Sequence, residues 1–164
     1  MNTRPDDLDR LKDTVVEAVD SIADDLVELS HRLWERPELA FEEHFAHEIL
    51  TDALETSGFD VTRHAHGLET AFEATWGDQG SDGPTLAVIC EYDALPEIGH
   101  ACGHNIIAAA GVGAATAARP AVDALGGRLV VLGTPAEEGG GGKVKLIDAG
   151  AFRDIDAAMM VHPA

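Results

Sequence analysis

Three stretches of the chain hold side chains able to bind a metal ion and move a proton. The first is Glu91-Tyr92-Asp93-Ala94-Leu95-Pro96, followed closely by His100-Ala101-Cys102-Gly103-His104-Asn105. The second is Thr134-Pro135-Ala136-Glu137-Glu138-Gly139, and the third is His162-Pro163. A thiolate, imidazoles and carboxylates suit zinc or another late first-row divalent ion, because sulfur and nitrogen donors match such metals while carboxylates complete the shell. Cys102 and His104, with one residue between them, can converge on one site from a loop. Near a helix N-terminus and a cation, Cys102 is expected to deprotonate readily. The adjacent Glu137 and Glu138 allow a division of labour in which one ligates while the other accepts a proton from water.

Taken singly, each feature is ordinary, since a lone Cys or His is usually packed or on the surface and paired glutamates on a loop are usually solvated. What gives them weight is their placement. From Asp7 to Trp34, Leu8, Leu11, Val15, Val19, Ile22, Leu26, Leu29 and Leu33 recur every three or four positions, which predicts one amphipathic helix. After Pro37, Phe41–Ser57 predicts a second helix, stopped by Gly58. Phe59–Arg63 and Thr70–Trp76 read as short strands, with a Gly, Asp and Ser loop over 77–84. Thr85–Glu91, Arg128–Gly133 and Ala157–Val161 are continuous apolar runs, expected to be strands covered on both faces at the sheet centre. Helical stretches over 105–118 and 142–149 lie between them. The layout is α/β, with a mostly parallel sheet flanked by helices in three layers. Ligands of such sheets bind beyond the carboxyl ends of the strands, where the three chemical stretches fall.

The 164 residues, 45% of them hydrophobic, are enough to bury one substantial core. With 11 basic residues against 30 acidic and a formal charge of -19, nucleic acid and anionic lipid are disfavoured as partners. The polar, acidic start does not read as a secretory signal, and no apolar run approaches the ~20 residues of a membrane span. Two cysteines are too few for a secreted disulfide framework, so a cytoplasmic protein is expected. Cys90, inside an apolar strand, reads as a small core residue, and His31, His44, His47, His64 and His66 lack ligand spacing. The glycine run before Lys143 is not a Walker A loop: Glu137 stands where its first glycine belongs, and no Ser or Thr follows the lysine.

The strings EYDALPEIGHACGHN, from Glu91 to Asn105, and GTPAEEGGGGKVK, from Gly133 to Lys145, resemble two core signatures of the M20 metallopeptidase family, in its amidohydrolase branch. More loosely, the similarity runs from Arg36-Pro37-Glu38-Leu39 to His162-Pro163. The resemblance implies a hydrolase with two divalent metal ions, zinc or manganese, held close together. Carried over position by position, Cys102, His104, Glu138 and His162 are implied metal ligands, Glu137 the general base, and Asp93 a residue supporting the site from behind the ligands. The wider family commonly has a histidine two positions before that aspartate, where this chain has Glu91. Full-length relatives carry a lid or dimerisation domain after this region and a last histidine ligand beyond it. The chain, 1–164, is therefore expected to be the N-terminal part of a catalytic domain that lacks the lid, with a homo-oligomer as the full-length form.

The expected reaction is hydrolysis of an amide or peptide bond in a small N-acyl amino acid, a dipeptide or aminobenzoyl-glutamate. Glu137 takes a proton from the attacking water and passes it to the leaving amine. Two rival readings are a metal-binding fragment without activity and a thiol protein using Cys102, the latter weakened by the absence of a C-x-x-C pair.

Overall fold

The chain begins with two helices, α1 (Pro5–Ser21) and α2 (Ala23–Glu35), in the computed structural model, which describes residues 5–78, 80 and 82–163. The single helix expected over Asp7–Trp34 is thus broken at Ile22. There the Ile22 amide donates to the Val19 carbonyl, three residues back, and the Ser21 hydroxyl takes the Ala18 carbonyl at 2.7 Å. Local side-chain bonding of this kind competes with the helical ladder. The apolar stripe continues across the break, which is why periodicity alone misses it.

Helix α2 ends before Pro37, whose ring disfavours helical backbone at Arg36. The next helix, α3 (His44–Thr56), starts three residues later than the expected Phe41. Phe41 has φ 64°, and the first turn is held instead by Glu38, whose carboxylate accepts the Phe45 and Ala46 amides at 3.1 and 2.9 Å. A carboxylate there satisfies orphan donors and complements the helix dipole.

Strands β1 (Asp60–Arg63), β2 (Phe72–Gly77), β3 (Thr85–Glu91), β4 (Arg128–Thr134) and β5 (Ala157–Met159) form one sheet in the order β1-β2-β4-β3-β5. The sheet is mixed. The β1–β2 and β2–β4 pairs are antiparallel, while β4–β3 and β3–β5 are parallel. Residues 79 and 81 of the expected loop lie outside the described residues, as does the start before Pro5. Two of the three strands expected at the sheet centre, β3 and β4, are there. The third, β5, is a short edge strand, paired among the described residues with β3 alone and exposed along its length, Met159 to 57%. An apolar run does not distinguish a strand with two neighbours from one with a single neighbour.

Helix α4 (His104–Leu125) bridges β3 and β4, and α5 (Glu137–Gly140) and α6 (Gly142–Asp148) follow β4. Helix α4 overruns the expected stop at Ala118 and passes through Pro120. The proline removes the amide that would bond the Thr116 carbonyl, and Arg119 Nε donates to that carbonyl instead at 3.1 Å. One sheet face, with Val88, Cys90, Ala74, Leu129 and Val131, packs against α2, α3 and α4. Cys90 is buried there, as expected. The other face, with Ala87, Val130 and Leu132, meets Leu146 of α6 and Ala151. The sheet thus lies between two helical layers. No helix among the described residues is long and apolar enough to cross a membrane.

Two glycines bring loops together where the strands end. Gly103, the cap before α4, has φ +80°, and a Cβ on it would lie 2.8 Å from Pro163 Cγ. A Cβ on Gly142 would lie 1.8 Å from the Pro135 carbonyl oxygen. Gly103→Ala is expected to cost at least about 1–2 kcal/mol from left-handed backbone alone, with a further loss from the Pro163 contact, read as a lower midpoint in urea. An unchanged midpoint would refute this account of the loop.

His47 in α3 is buried, its ring stacked 4.8 Å from that of His64 and edge-on to Phe72. Burial, then the neighbouring His64 and Arg63, hold its pKa down to about 4 from an ordinary 6.5. The folded pKa lies below the unfolded one, so the unfolded chain takes up the proton first as pH falls. This contribution is therefore complete above pH 6.5 and is lost as pH falls toward 4. Over that window the melting temperature of a His47→Gln variant is expected to fall less steeply than that of the wild type. Parallel curves would show that His47 does not carry the effect.

Candidate metal centre

The parallel pairing of β3 and β4 sets Glu91 opposite Thr134, so both strands deliver their following residues at the same end of the sheet. The β3–β5 register runs from Leu86 opposite Ala157 to Val88 opposite Met159, and continued three residues further it brings His162 abreast of Glu91. The loop after β3 returns through Gly103 into α4, whose first residue is His104. Thus segments far apart in sequence meet where the strands end.

His104 lies at the centre of this meeting point, 1% exposed. Its Nδ1 bonds the Asp93 carbonyl at 2.8 Å and the Asp93 Oδ1 at 3.1 Å. Its Nε2 faces Glu91 Oε2 at 3.4 Å, Glu137 Oε2 at 3.9 Å and Glu138 Oε1 at 3.9 Å. The other Asp93 oxygen, Oδ2, accepts the Glu138 amide at 3.0 Å. One carboxylate therefore orients both the imidazole and the turn that carries the two glutamates. Burial opposes ionisation of Asp93, but the His104 imidazole and the amides of Glu138 and Glu137 outweigh it and hold the carboxyl below its usual range. At His104 burial disfavours the charged ring, yet Asp93 and Glu91 prevail and push its pKa up.

The Glu137–Glu138 turn is built on a strained residue, since Ala136 has φ 56° and ψ 47°. Its amide donates to Glu43 Oε1 at 2.8 Å, and Glu43 Oε2 accepts the Thr70 hydroxyl at 2.7 Å. Glu43 is fully buried, and burial raises its pKa despite these bonds. Glu38 also ties α3 to the loop after β3: its side chain caps α3 and its carbonyl accepts the Ala94 amide at 2.8 Å.

Of the residues singled out in the sequence, His104, Glu137 and Glu138 place ligand atoms within 4.8 Å of one another, and so do Glu91, His104 and His162. His162 is exposed, with its ring edge-on to His104 at 6.1 Å. Cys102 joins neither group. It sits beside Glu138, and the hydrogen bond to that carboxylate, then burial and the charges of Glu138, Glu137 and Asp93, push its thiol up to about 11. The ready deprotonation expected from the helix N-terminus is therefore outweighed by acidic neighbours, and a thiolate here needs a cation beside it.

The donor set fits a divalent ion. With Nδ1 bonded to two acceptors, Nε2 of His104 is the nitrogen free for a metal, the arrangement in which a second group fixes the tautomer of a ligating histidine. The buried Nε2 and Glu91 Oε2 have no hydrogen-bond partner among the described residues, and buried polar atoms seldom go without one. Glu91 opens the first chemical stretch but is not among the ligands implied by the resemblance, and Lys143 is noticed in the sequence only within the glycine run and the second signature string, yet Lys143 Nζ bonds Glu91 Oε1. A charged residue closing an otherwise apolar strand is the signal for Glu91. For Lys143, 52 residues away, the sequence holds none.

Known proteins resemble this chain in sequence and in fold. Residues 87–164 match the model of peptidase family M20/M25/M40. The chain is 46% identical over 170 residues to the Xaa-Arg dipeptidase of Mus musculus, a match covering 96% of this chain and 39% of that protein. It is 36% identical to a subunit of the p-aminobenzoyl-glutamate hydrolase of Escherichia coli strain K12, with 90% and 34% covered. It superposes on the crystal structure of a dinuclear metal-binding M20 peptidase from Bacillus subtilis with a TM-score of 0.75 at 26% identity, covering 85% of this chain and 42% of that one. The chain spans about two fifths of the length of the dipeptidase it matches. Residues 87–164 thus carry a match to peptidase family M20/M25/M40, and the fold matches that of an M20 peptidase.

Proposed function

We propose that this chain is the front part of the catalytic domain of a metal-dependent amidohydrolase, acting on the amide or peptide bond of a small N-acyl amino acid or dipeptide-type substrate. The observation that carries the reading is His104, buried, locked through Nδ1 by Asp93 and turned with Nε2 toward Glu91, Glu137 and Glu138. In this reading Cys102, His104, Glu138 and His162 are the metal ligands and Asp93 orients them. Two divalent ions, zinc or manganese, held there would supply Lewis acidity toward the scissile carbonyl and the attacking water.

Glu137 is the proton carrier. Its neighbour Glu138 is fixed through its own amide by Asp93, which leaves the Glu137 carboxylate, 38% exposed, at the open side of the site. It takes a proton from the attacking water and returns it to the leaving amine nitrogen, and the products are a carboxylate and an amine. The names of the relatives support a small amide substrate. The net charge of -19 supports a small-molecule partner over nucleic acid or an anionic membrane, and with two unpaired cysteines it fits a cytoplasmic setting.

The test combines metal content by elemental mass spectrometry with turnover of a panel of dipeptides, N-acyl amino acids and aminobenzoyl-glutamate. The purified protein is expected to hold zinc or manganese in stoichiometric amount, and Cys102→Ala to weaken that binding by at least about tenfold. Glu137→Gln should keep the metal and lose about 10²–10⁴-fold in turnover where the wild type has any. Metal retained undiminished in Cys102→Ala would overturn the ligand assignment. Turnover retained in Glu137→Gln would overturn the base.

A further inference from the structure

Glu91 closes β3, 2% exposed, and its two oxygens have different surroundings. Oε1 accepts from the ammonium of Lys143, which reaches over from α6. Oε2 has no hydrogen-bond partner among the described residues, and the atom it faces at 3.4 Å, His104 Nε2, has none either. Asp93 presents two acceptors to His104 Nδ1, so that nitrogen carries the ring proton and Nε2 presents a lone pair. Two buried acceptors then look at each other across a gap with no donor between them. Desolvated acceptors left in this way are costly. A second proton on the ring would answer the conflict poorly, because 3.4 Å is beyond the usual N–H···O range. A cation bound by both atoms resolves it, and His162 adds a third ligand atom, all three within 4.8 Å of one another.

We propose that Glu91 Oε2 is itself a metal ligand, shared with His104 Nε2 and His162, and that Lys143 is a positioning residue. By holding Oε1, Lys143 leaves a single oxygen for the ion and offsets the charge of a carboxylate that water does not reach. The inference rests on reading the site as a metal centre and adds to it a ligand and the residue that aims it. The competing account is a structural one, in which the Glu91–Lys143 pair merely pins α6 to the end of β3. Breaking a buried ion pair destabilises the fold. That account therefore predicts a stability loss that is independent of metal.

The experiment measures zinc affinity by competition with a chromophoric chelator, and melting temperature with and without zinc, for the wild type, Glu91→Gln and Glu91→Asp. Glutamine keeps the shape and an oxygen for Lys143, and places an N–H donor opposite His104. The proposal expects Glu91→Gln to melt near the wild type without zinc, to bind zinc at least about tenfold more weakly, and to gain less in melting temperature when zinc is added. Glu91→Asp, which keeps the charge but shortens the reach, should also bind zinc more weakly. A lowered metal-free melting temperature with wild-type zinc affinity in both variants would establish the structural account and overturn the proposal alone. Failure of the wild type itself to bind zinc would overturn both the proposal and the metal-centre reading beneath it.

Discussion

The bond between Asp93 and His104 is the constraint on which the site depends. A histidine in the first turn of α4 would ordinarily rotate freely between staggered positions. Here its Nδ1 is held by both the backbone and the side chain of Asp93, and the second carboxylate oxygen of the same residue holds the Glu138 amide. Asp93 is two residues past the end of β3, and Glu138 is four past the end of β4. Because those strands are parallel and in register, a single side chain can span both. An antiparallel pair would have sent the two continuations to opposite ends of the sheet.

Around that bond the fold uses carboxylates to hold backbone. Glu38 caps α3, Glu43 holds the strained Ala136 amide and the Thr70 hydroxyl, and Asp156 ties β5 to β3 by accepting the Thr85 amide at 2.8 Å while its own amide bonds the Thr85 carbonyl. Glu43, fully buried, gives up hydration for hydrogen bonds whose geometry is fixed. The result is that the turn bearing Glu137 and Glu138, only four residues of helix, does not depend on helical cooperativity for its position. It is suspended from β4 at one end and from Glu43 and Asp93 at its first amides.

Much of this is legible in the sequence, and what is not has identifiable causes. Strand β3 can be read to the residue because an unbroken run, mostly apolar, lies between Pro84 and Glu91. The convergence of His104, Glu137, Glu138 and His162 follows from their shared position after apolar runs. The break at Ile22 is hidden because the stripe of leucines and valines passes through it. Strand β5 reads as a central strand because Ala157–Val161 is apolar, although apolarity reports neither the number of neighbours nor burial. Glu38 and Glu43 look like two acids in an acidic chain, since their partners lie across the fold, up to 93 residues away for Glu43 and Ala136. Long-range hydrogen bonds of this kind leave no trace in local spacing.

Charge links these observations. Glu91, Asp93, Glu137 and Glu138 all face or support one imidazole, with Lys143 the one ammonium bonded to any of them among the described residues. The molecule around them carries a formal charge of -19, so its wider field reinforces theirs. Carboxylates gathered this closely repel one another unless protons or cations intervene. The same field raises the local concentration of divalent ions at the open side of the site. In the proposed centre, metal binding and local folding would share one free energy, because an ion that satisfies facing acceptors also removes the repulsion opposing their convergence. The linkage belongs to the strand ends, for Leu50, Leu54, Phe72 and Val131 form an apolar cluster between α3 and the sheet. A stable core carrying an electrostatically unsatisfied rim is therefore the arrangement this sequence encodes, and the rim is where the proposed chemistry would lie.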